Sequence, residues 1–216
     1  MLTVLVDYDS GNLHSAEKSF QRMSAEVGGG DVIVSSKPED VAGADRIVLP
    51  GDGAFPACRN ALTRDRAALF EAIVGSVIDK GRPFMGICVG MQMMATWGRE
   101  YEDTKGFDWI GGEIAKITPS DPSLKVPHMG WNDLVLDTKG QKHPVLEGLE
   151  TGHHAYFVHS YSFRVADRAH RLAHVDYGGD ITAVVGRDNM IGVQFHPEKS
   201  QQTGLRMIAN FLNWKP

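Results

Sequence analysis

The strongest chemical signal in the chain is a cysteine with glycine two residues away on either side, Gly86-Ile87-Cys88-Val89-Gly90. Apolar Phe84, Met85 and Ile87 lead in, and a Met- and Ala-rich segment follows, so residues 83–100 read as strand, sharp turn and helix with Cys88 at the apex. That is the pattern of a nucleophile elbow, with sulfur in place of the serine oxygen. Flanking glycines suit it, because the apex is strained and neighbouring backbone passes where a Cβ would clash. A helix N-terminus aimed at the thiol favours the thiolate. The plainer reading is a small buried apolar residue, the usual fate of a free cysteine. A second cluster is Gln194-Phe195-His196-Pro197-Glu198. Residues i and i+2 of an extended chain face the same way, so His196 and Glu198 project together. A carboxylate beside an imidazole selects its tautomer and stabilises the imidazolium, the orienter's role in a nucleophile–base–acid triad. Taken alone, this pattern is equally a surface histidine beside a solvated glutamate. A third stretch, Pro50-Gly51-Asp52-Gly53, follows a strand and can turn backbone N–H groups outward as oxyanion donors, or simply turn the chain. A free thiol is only a few per cent thiolate at neutral pH, so a base within reach raises reactivity about tenfold or more. Together the three stretches fit acyl transfer through a thioester.

Such residues need a frame that carries distant stretches to one edge. Residues 3–6, 31–34 and 46–49 are short apolar, β-rich runs. The polar turn 7–12 precedes a helix from near Leu13, with Leu13, Ala16, Phe20 and Met23 at helical spacing and Gly28-Gly29-Gly30 ending it. The glycine triplet has neither dinucleotide nor Walker spacing and reads as a turn. A short polar segment holds Pro38, and an amphipathic helix covers 66–79 up to Gly81. Alternating strands and helices predict a parallel, doubly wound sheet with catalytic residues at the C-terminal strand ends. The second half differs: strands at 111–118, 134–136, 155–159, 162–165, 171–175, 181–185 and 190–195, with a compact turn at 127–132. These predict antiparallel strand additions in the C-terminal half. A helix over 204–213 closes the chain. Neither linker composition nor repeats divide residues 1–216, so a single domain is expected.

Composition narrows the class. Of 216 residues, 42% are hydrophobic and 23% charged, and the net charge of −5 argues against a nucleic-acid or anionic-membrane surface. Two cysteines, Cys58 and Cys88, exclude a disulfide framework. No basic n-region or membrane-length apolar run occurs, so a soluble, cytoplasmic α/β protein is expected.

The elbow through Gln92 and the His-Pro-Glu stretch resemble the triad class of glutamine amidotransferases, which have a flavodoxin-like fold. Within it, the chain is similar to the glutaminase subunits of imidazole glycerol phosphate synthase. That narrower resemblance rests on Asp7-Tyr8 with Gly11-Asn12, Leu49-Pro50-Gly51, Gly53-Ala54-Phe55, Pro127-His128-Met129-Gly130-Trp131-Asn132 and Tyr156-Phe157-Val158-His159-Ser160-Tyr161. The His-Met-Gly-Trp-Asn run is its most specific part. The resemblance implies that Cys88 attacks the carboxamide of L-glutamine, His196 shuttles the proton and Glu198 orients His196. It implies an oxyanion hole from backbone N–H groups of Gly51, Asp52, Gly53 and Val89. Gln92, Glu100, His159, Ser160 and Tyr161 would hold glutamine. His128, Met129, Trp131 and Asn132 would face a separate (β/α)₈-barrel cyclase subunit, which takes the ammonia. No cofactor is implied. His153-His154 lacks partners at ligand spacing, so no metal is expected.

Asp52 departs from the family, which usually has a small or apolar residue there; a carboxylate beside a forming oxyanion repels it. An amidotransferase of another pathway would lack the His-Met-Gly-Trp-Asn run. A dienelactone-hydrolase-like enzyme would take its acid from an Asp between nucleophile and histidine. A non-catalytic regulatory homologue would need a broken triad.

Overall fold

The computed structural model describes residues 1–10 and 13–216. Gly11 and Asn12 lie outside the described residues, and with them part of the expected capping turn. Strands β1 (Leu2–Val6), β2 (Asp31–Ser35), β3 (Arg46–Gly51) and β4 (Phe84–Cys88) alternate with helices α1 (Leu13–Val27), α2 (Pro38–Gly43), α3 (Phe55–Asn60) and α4 (Ala67–Val74). Two of these helices were not expected from the sequence. Both α2 and α3 have proline in the first turn, where its missing N–H costs no hydrogen bond. The helix expected over 66–79 is α4 flanked by π-helical turns, Ala61–Asp65 and Gly75–Asp79.

Past the elbow come α5 (Val89–Gln92), β5 (Trp97–Gly98), β6 (Thr104–Lys105), β7 (Gly112–Lys116), β8 (His128–Asp133), β9 (Val135–Leu136) and β10 (His154–His159). The chain ends with β11 (Tyr161–Val165), β12 (Arg171–Asp176), β13 (Asp180–Arg187), β14 (Met190–Val193) and α6 (Gln201–Asn213). The main sheet has eight strands in the order β2-β1-β3-β4-β14-β13-β12-β9. Neighbours from β2 through β14 are parallel, and β13, β12 and β9 add antiparallel strands. This is the mostly parallel, doubly wound α/β frame with antiparallel C-terminal strands.

Two findings correct the expected second half. Its strands do not all join the main sheet: β8 pairs with β10, and β11-β7-β5-β6 form a separate sheet. The stretch 127–132 is not a compact turn, because residues from His128 form strand β8, antiparallel to β10 with Trp131 opposite Tyr156. The side chains of β8 alternate: His128 is buried while Met129 and Trp131 are exposed.

Right-handed crossovers in opposite directions put α1 and α2 on opposite faces of the sheet. Accordingly α1 packs on α6, with the Phe20 and Phe211 rings edge to face at 6.4 Å, and α2 packs on α4. Strands β3 and β4 are buried along their whole length, and the buried apolar side chains form one cluster running under Cys88.

Candidate active site

Because β4 and β14 are parallel neighbours, with Ile87 in register with Val193, the chain leaves both strands at the same edge. Cys88 is the last residue of β4 and His196 follows β14 closely, which brings them together across the chain. Cys88 adopts φ 54°, ψ −113°, a left-handed conformation rare for a residue with a Cβ. Two glycines make that turn possible. A Cβ on Gly86 would lie 2.7 Å from the Gly90 carbonyl oxygen, and one on Gly90 would collide with the Leu49 carbonyl. The helix after the nucleophile is shorter than expected. α5 has a single turn, so its dipole gives the sulfur little help.

His196 is 9% exposed, and its Nδ1 meets Glu198 Oε1 at 2.9 Å. The extended i, i+2 geometry does not produce this contact: residues Pro197–Lys199 form a 3₁₀ turn that folds the carboxylate back under the ring. Burial disfavours a charged imidazole here, but the Cys88 thiol and the Glu198 carboxylate outweigh it and raise His196 to about 10. Glu198 Oε2 is buried without a partner among the described residues. Beside it, between Pro50–Asp52 and His196, lies a cavity of about 20 Å³, room for one water. The larger clefts, one of about 390 Å³ beside Trp131 and Arg206, lie away from the sulfur.

The glycine loop is held rather than free. Asp52 N–H donates to Ser10 Oγ at 3.1 Å, and Ser10 Oγ donates to Asp52 O at 2.8 Å. Gly51 packs so closely on Tyr8 that a Cβ would lie 2.7 Å from the phenol oxygen. Gly53 has φ 122° and Asp52 is exposed, so its carboxylate is solvated. Val89 opens α5, where a first-turn N–H has no intrahelical acceptor.

The five expected glutamine contacts divide. Glu100 Oε2 accepts from Phe55 N–H at 2.8 Å, capping α3. Its charge reaches Tyr161, whose phenol rises above its usual range through burial and then Glu100. Ser160 lies between β10 and β11, and its carbonyl accepts from Ile117 N–H at 2.9 Å. Gln92 is buried, and its Nε2 donates to Gln194 Oε1 at 3.0 Å and to Tyr161 O at 3.3 Å. His159 is also buried, with both ring nitrogens engaged by the protein: Nδ1 at 2.8 Å from Tyr161 O and Nε2 at 3.0 Å from His128 Nδ1. Among the expected interface residues, Met129 and Trp131 face solvent, His128 is buried, and Asn132 bonds His128 Nε2 at 3.2 Å.

Gln194 had no role in the sequence reading. It is fully buried and points Nε2 at Cys88 Sγ, 3.7 Å away. Its i, i+2 relation to His196 was the available signal. His153 Nδ1 accepts from Glu150 N–H, and His154 Nδ1 faces Asp133.

A cysteine elbow, a histidine and a glutamate on adjoining strand ends of a doubly wound sheet define a thiol acyl-transfer class. Residues 4–214 match the family Glutamine amidotransferase class-I, and the chain belongs to it. The chain is 71% identical to the imidazole glycerol phosphate synthase subunit HisH of Cereibacter sphaeroides, with both sequences covered completely. The same-named subunit of Ruegeria pomeroyi is 62% identical over the full length of both. Within the class, this chain is thus a member of the HisH family. Solved structures agree on the fold. A glutamine amidotransferase superposes with TM-score 0.70 at 18% identity, covering 98% of this chain and 99% of that one. The glutaminase domain of a Trypanosoma brucei CTPS gives 0.66 at 15%, covering 100% and 95%.

Proposed function

We propose that this chain hydrolyses L-glutamine to glutamate and ammonia through a thioester on Cys88, as the glutaminase subunit of imidazole glycerol phosphate synthase in histidine biosynthesis. The observation that carries the chemistry is the meeting of Cys88, His196 and Glu198 at the ends of parallel neighbours, with His196 held by Glu198 at 2.9 Å. Cys88 passes its proton to His196, and the thiolate attacks the side-chain carboxamide carbon, forming C–S and placing negative charge on oxygen. Imidazolium at His196 gives its proton to the nitrogen as the C–N bond breaks, and ammonia leaves. Water then attacks the thioester, His196 takes its proton, and C–S breaks to release glutamate. Glu198 keeps the ring oriented throughout. Val89 N–H and the N–H groups of Gly51 and Gly53 are the donors for the oxyanion, joined by Asp52 N–H once it is released from Ser10.

The same reading sends ammonia to a (β/α)₈-barrel cyclase partner in the cytoplasm, docked on the exposed Met129 and Trp131 face. Exposed tryptophan is a frequent anchor of protein interfaces. The cyclase joins the ammonia to a phosphoribulosyl nucleotide. Of the described residues, no helix is long and apolar enough to cross a membrane.

With Asp52 N–H bound to Ser10, that donor is unavailable to an oxyanion, so the isolated chain is expected to be a weak glutaminase. Adding the cyclase with its nucleotide should raise turnover strongly; equal turnover with and without them would refute the coupling. Cys88→Ala should abolish glutamine-dependent synthesis by the complex and leave synthesis from added ammonia intact. Persistence of the glutamine-dependent reaction would rule out the thioester.

A further inference from the structure

The two buried histidines and their neighbours form a hydrogen-bond chain whose every direction is fixed by its ends. A carbonyl oxygen only accepts, so His159 Nδ1, 2.8 Å from Tyr161 O, carries the proton and Nε2 is bare. His128 Nδ1, 3.0 Å from that bare nitrogen, therefore donates, and His128 Nε2 is left as an acceptor. Asn132 supplies the donor. Its Nδ2 lies 3.2 Å from His128 Nε2 and donates to Asp176 O at 3.0 Å, while Oδ1 accepts from Asp133 N–H at 2.8 Å. Flipping the amide would break both backbone bonds. The His128 ring is clamped between Phe157 at 4.8 Å and Tyr177 at 4.1 Å.

The far end of the chain reaches the sulfur. Tyr161 O also accepts from Gln92 Nε2, which donates to Gln194 Oε1, and this orientation turns Gln194 Nε2 toward Cys88 Sγ. The near end starts on β8, whose outer face bears Trp131. Burial holds both histidines at about 4, so each stays neutral and keeps one donor and one acceptor.

We propose that His128 and His159 are positioning residues for the glutaminase step: a relay of fixed direction couples Asn132 on the partner-facing strand to the Gln92–Gln194 amides that set a donor against Cys88. This rests on the glutaminase reading above. Both imidazoles carry their proton on Nδ1, the less common tautomer in solution, because the relay leaves no alternative.

The direct test is ring-nitrogen NMR on the full chain labelled with ¹⁵N-histidine, using a His159→Gln variant for assignment. At pH 7 both rings should be neutral and Nδ1-protonated, with through-bond coupling between His128 Nδ1 and His159 Nε2. An Nε2-protonated ring at either position overturns the relay. The kinetic test uses the complex with cyclase and nucleotide. His128→Leu removes the donor and should lower kcat for glutamine about tenfold, the worth of one lost buried hydrogen bond, with KM little changed. His128→Asn places its Nδ2 where Nδ1 stood and should restore most of that loss. Ammonia-dependent synthesis should be equal in all three proteins, reporting an unaltered cyclase, and co-elution of each variant with the cyclase on gel filtration should report intact docking. Unchanged kcat in His128→Leu, or equal losses in both variants, overturns the proposal. A wild-type complex without glutaminase activity would instead overturn the functional reading, and the tautomers would still be readable.

Discussion

Glu198 gives one oxygen to His196 and, among the described residues, finds no partner for the other, so its effect on the site rests on a single 2.9 Å contact. Glutamine in its place keeps the size and hydrogen bonding but removes the charge that steadies an imidazolium. Glu198→Gln should therefore lower kcat for glutamine at least about 100-fold, in the range ascribed to general acid–base catalysis, with KM nearly unchanged. Alkylation of Cys88 by iodoacetamide at pH 7 should slow in parallel, since it reads the same ion pair without substrate. Unaltered alkylation would mean that Glu198 does not act on the thiol through His196. At this scale the triad was legible because each member sits in a local motif with its own chemical rationale. Ser10 was not, and Gln194 only through its i, i+2 place before His196, since an amide and a hydroxyl take their roles here from neighbours distant in sequence. Of those, Ser10 meets Asp52 across 42 residues and Gln194 meets Cys88 across 106.

At the scale of elements, the elbow depends on two backbones passing where only glycine fits. Gly90→Ala drives a Cβ into the Leu49 carbonyl on neighbouring β3, a rigid obstacle. It should cost more than about 2 kcal/mol in urea unfolding and suppress Cys88 alkylation. Gly75→Ala is the control. That residue has φ −58°, and an added Cβ would find nothing nearer than the Asp79 carboxylate at 3.7 Å. It should stabilise by about 0.4–1 kcal/mol. A Gly90→Ala protein as stable as the Gly75→Ala control would contradict the packing of the elbow. The strands of the first half were legible because buried parallel strands are continuous apolar runs. The proline-led helices α2 and α3 were obscured because proline also marks loops. β8 resembles a turn in sequence because Pro127, Gly130 and Asn132 are turn formers, although the alternation of His128, Met129 and Trp131 is that of a strand. The central, parallel place of β14 beside β4 is a pairing across about a hundred residues, and no local pattern encodes it.

For the whole molecule, two kinds of histidine oppose each other in setting the pH range of the fold. Burial lowers His128, His143 and His159 to about 4. An unfolded chain titrates them near 6.5, so below that pH it binds protons the folded chain refuses. Stability then falls as pH drops, by up to about 1.4 kcal/mol per pH unit for each histidine. His196 has the opposite sign: raised to about 10, it contributes stability that is fully present below 6.5 and lost as pH rises through 10. Well below pH 6.5 it is protonated in both states and contributes no slope. Asp180 is held low because Arg171 and His174 outweigh its burial, but it is half exposed and its acid loss is screened. His143 separates the first effect from general acid sensitivity. Its ring packs on Trp214 at 5.2 Å and its Nδ1 accepts from Val145 N–H at 3.2 Å. His143→Phe keeps the packing, loses that acceptor and removes one titrating group. At pH 7 it should be about 1 kcal/mol less stable than wild type by urea unfolding. Its stability should fall more slowly on acidification, so that the deficit shrinks and reverses between about pH 6 and pH 5. A deficit that stays constant from pH 7 to pH 5 would show that His143 takes up its proton without opening the fold.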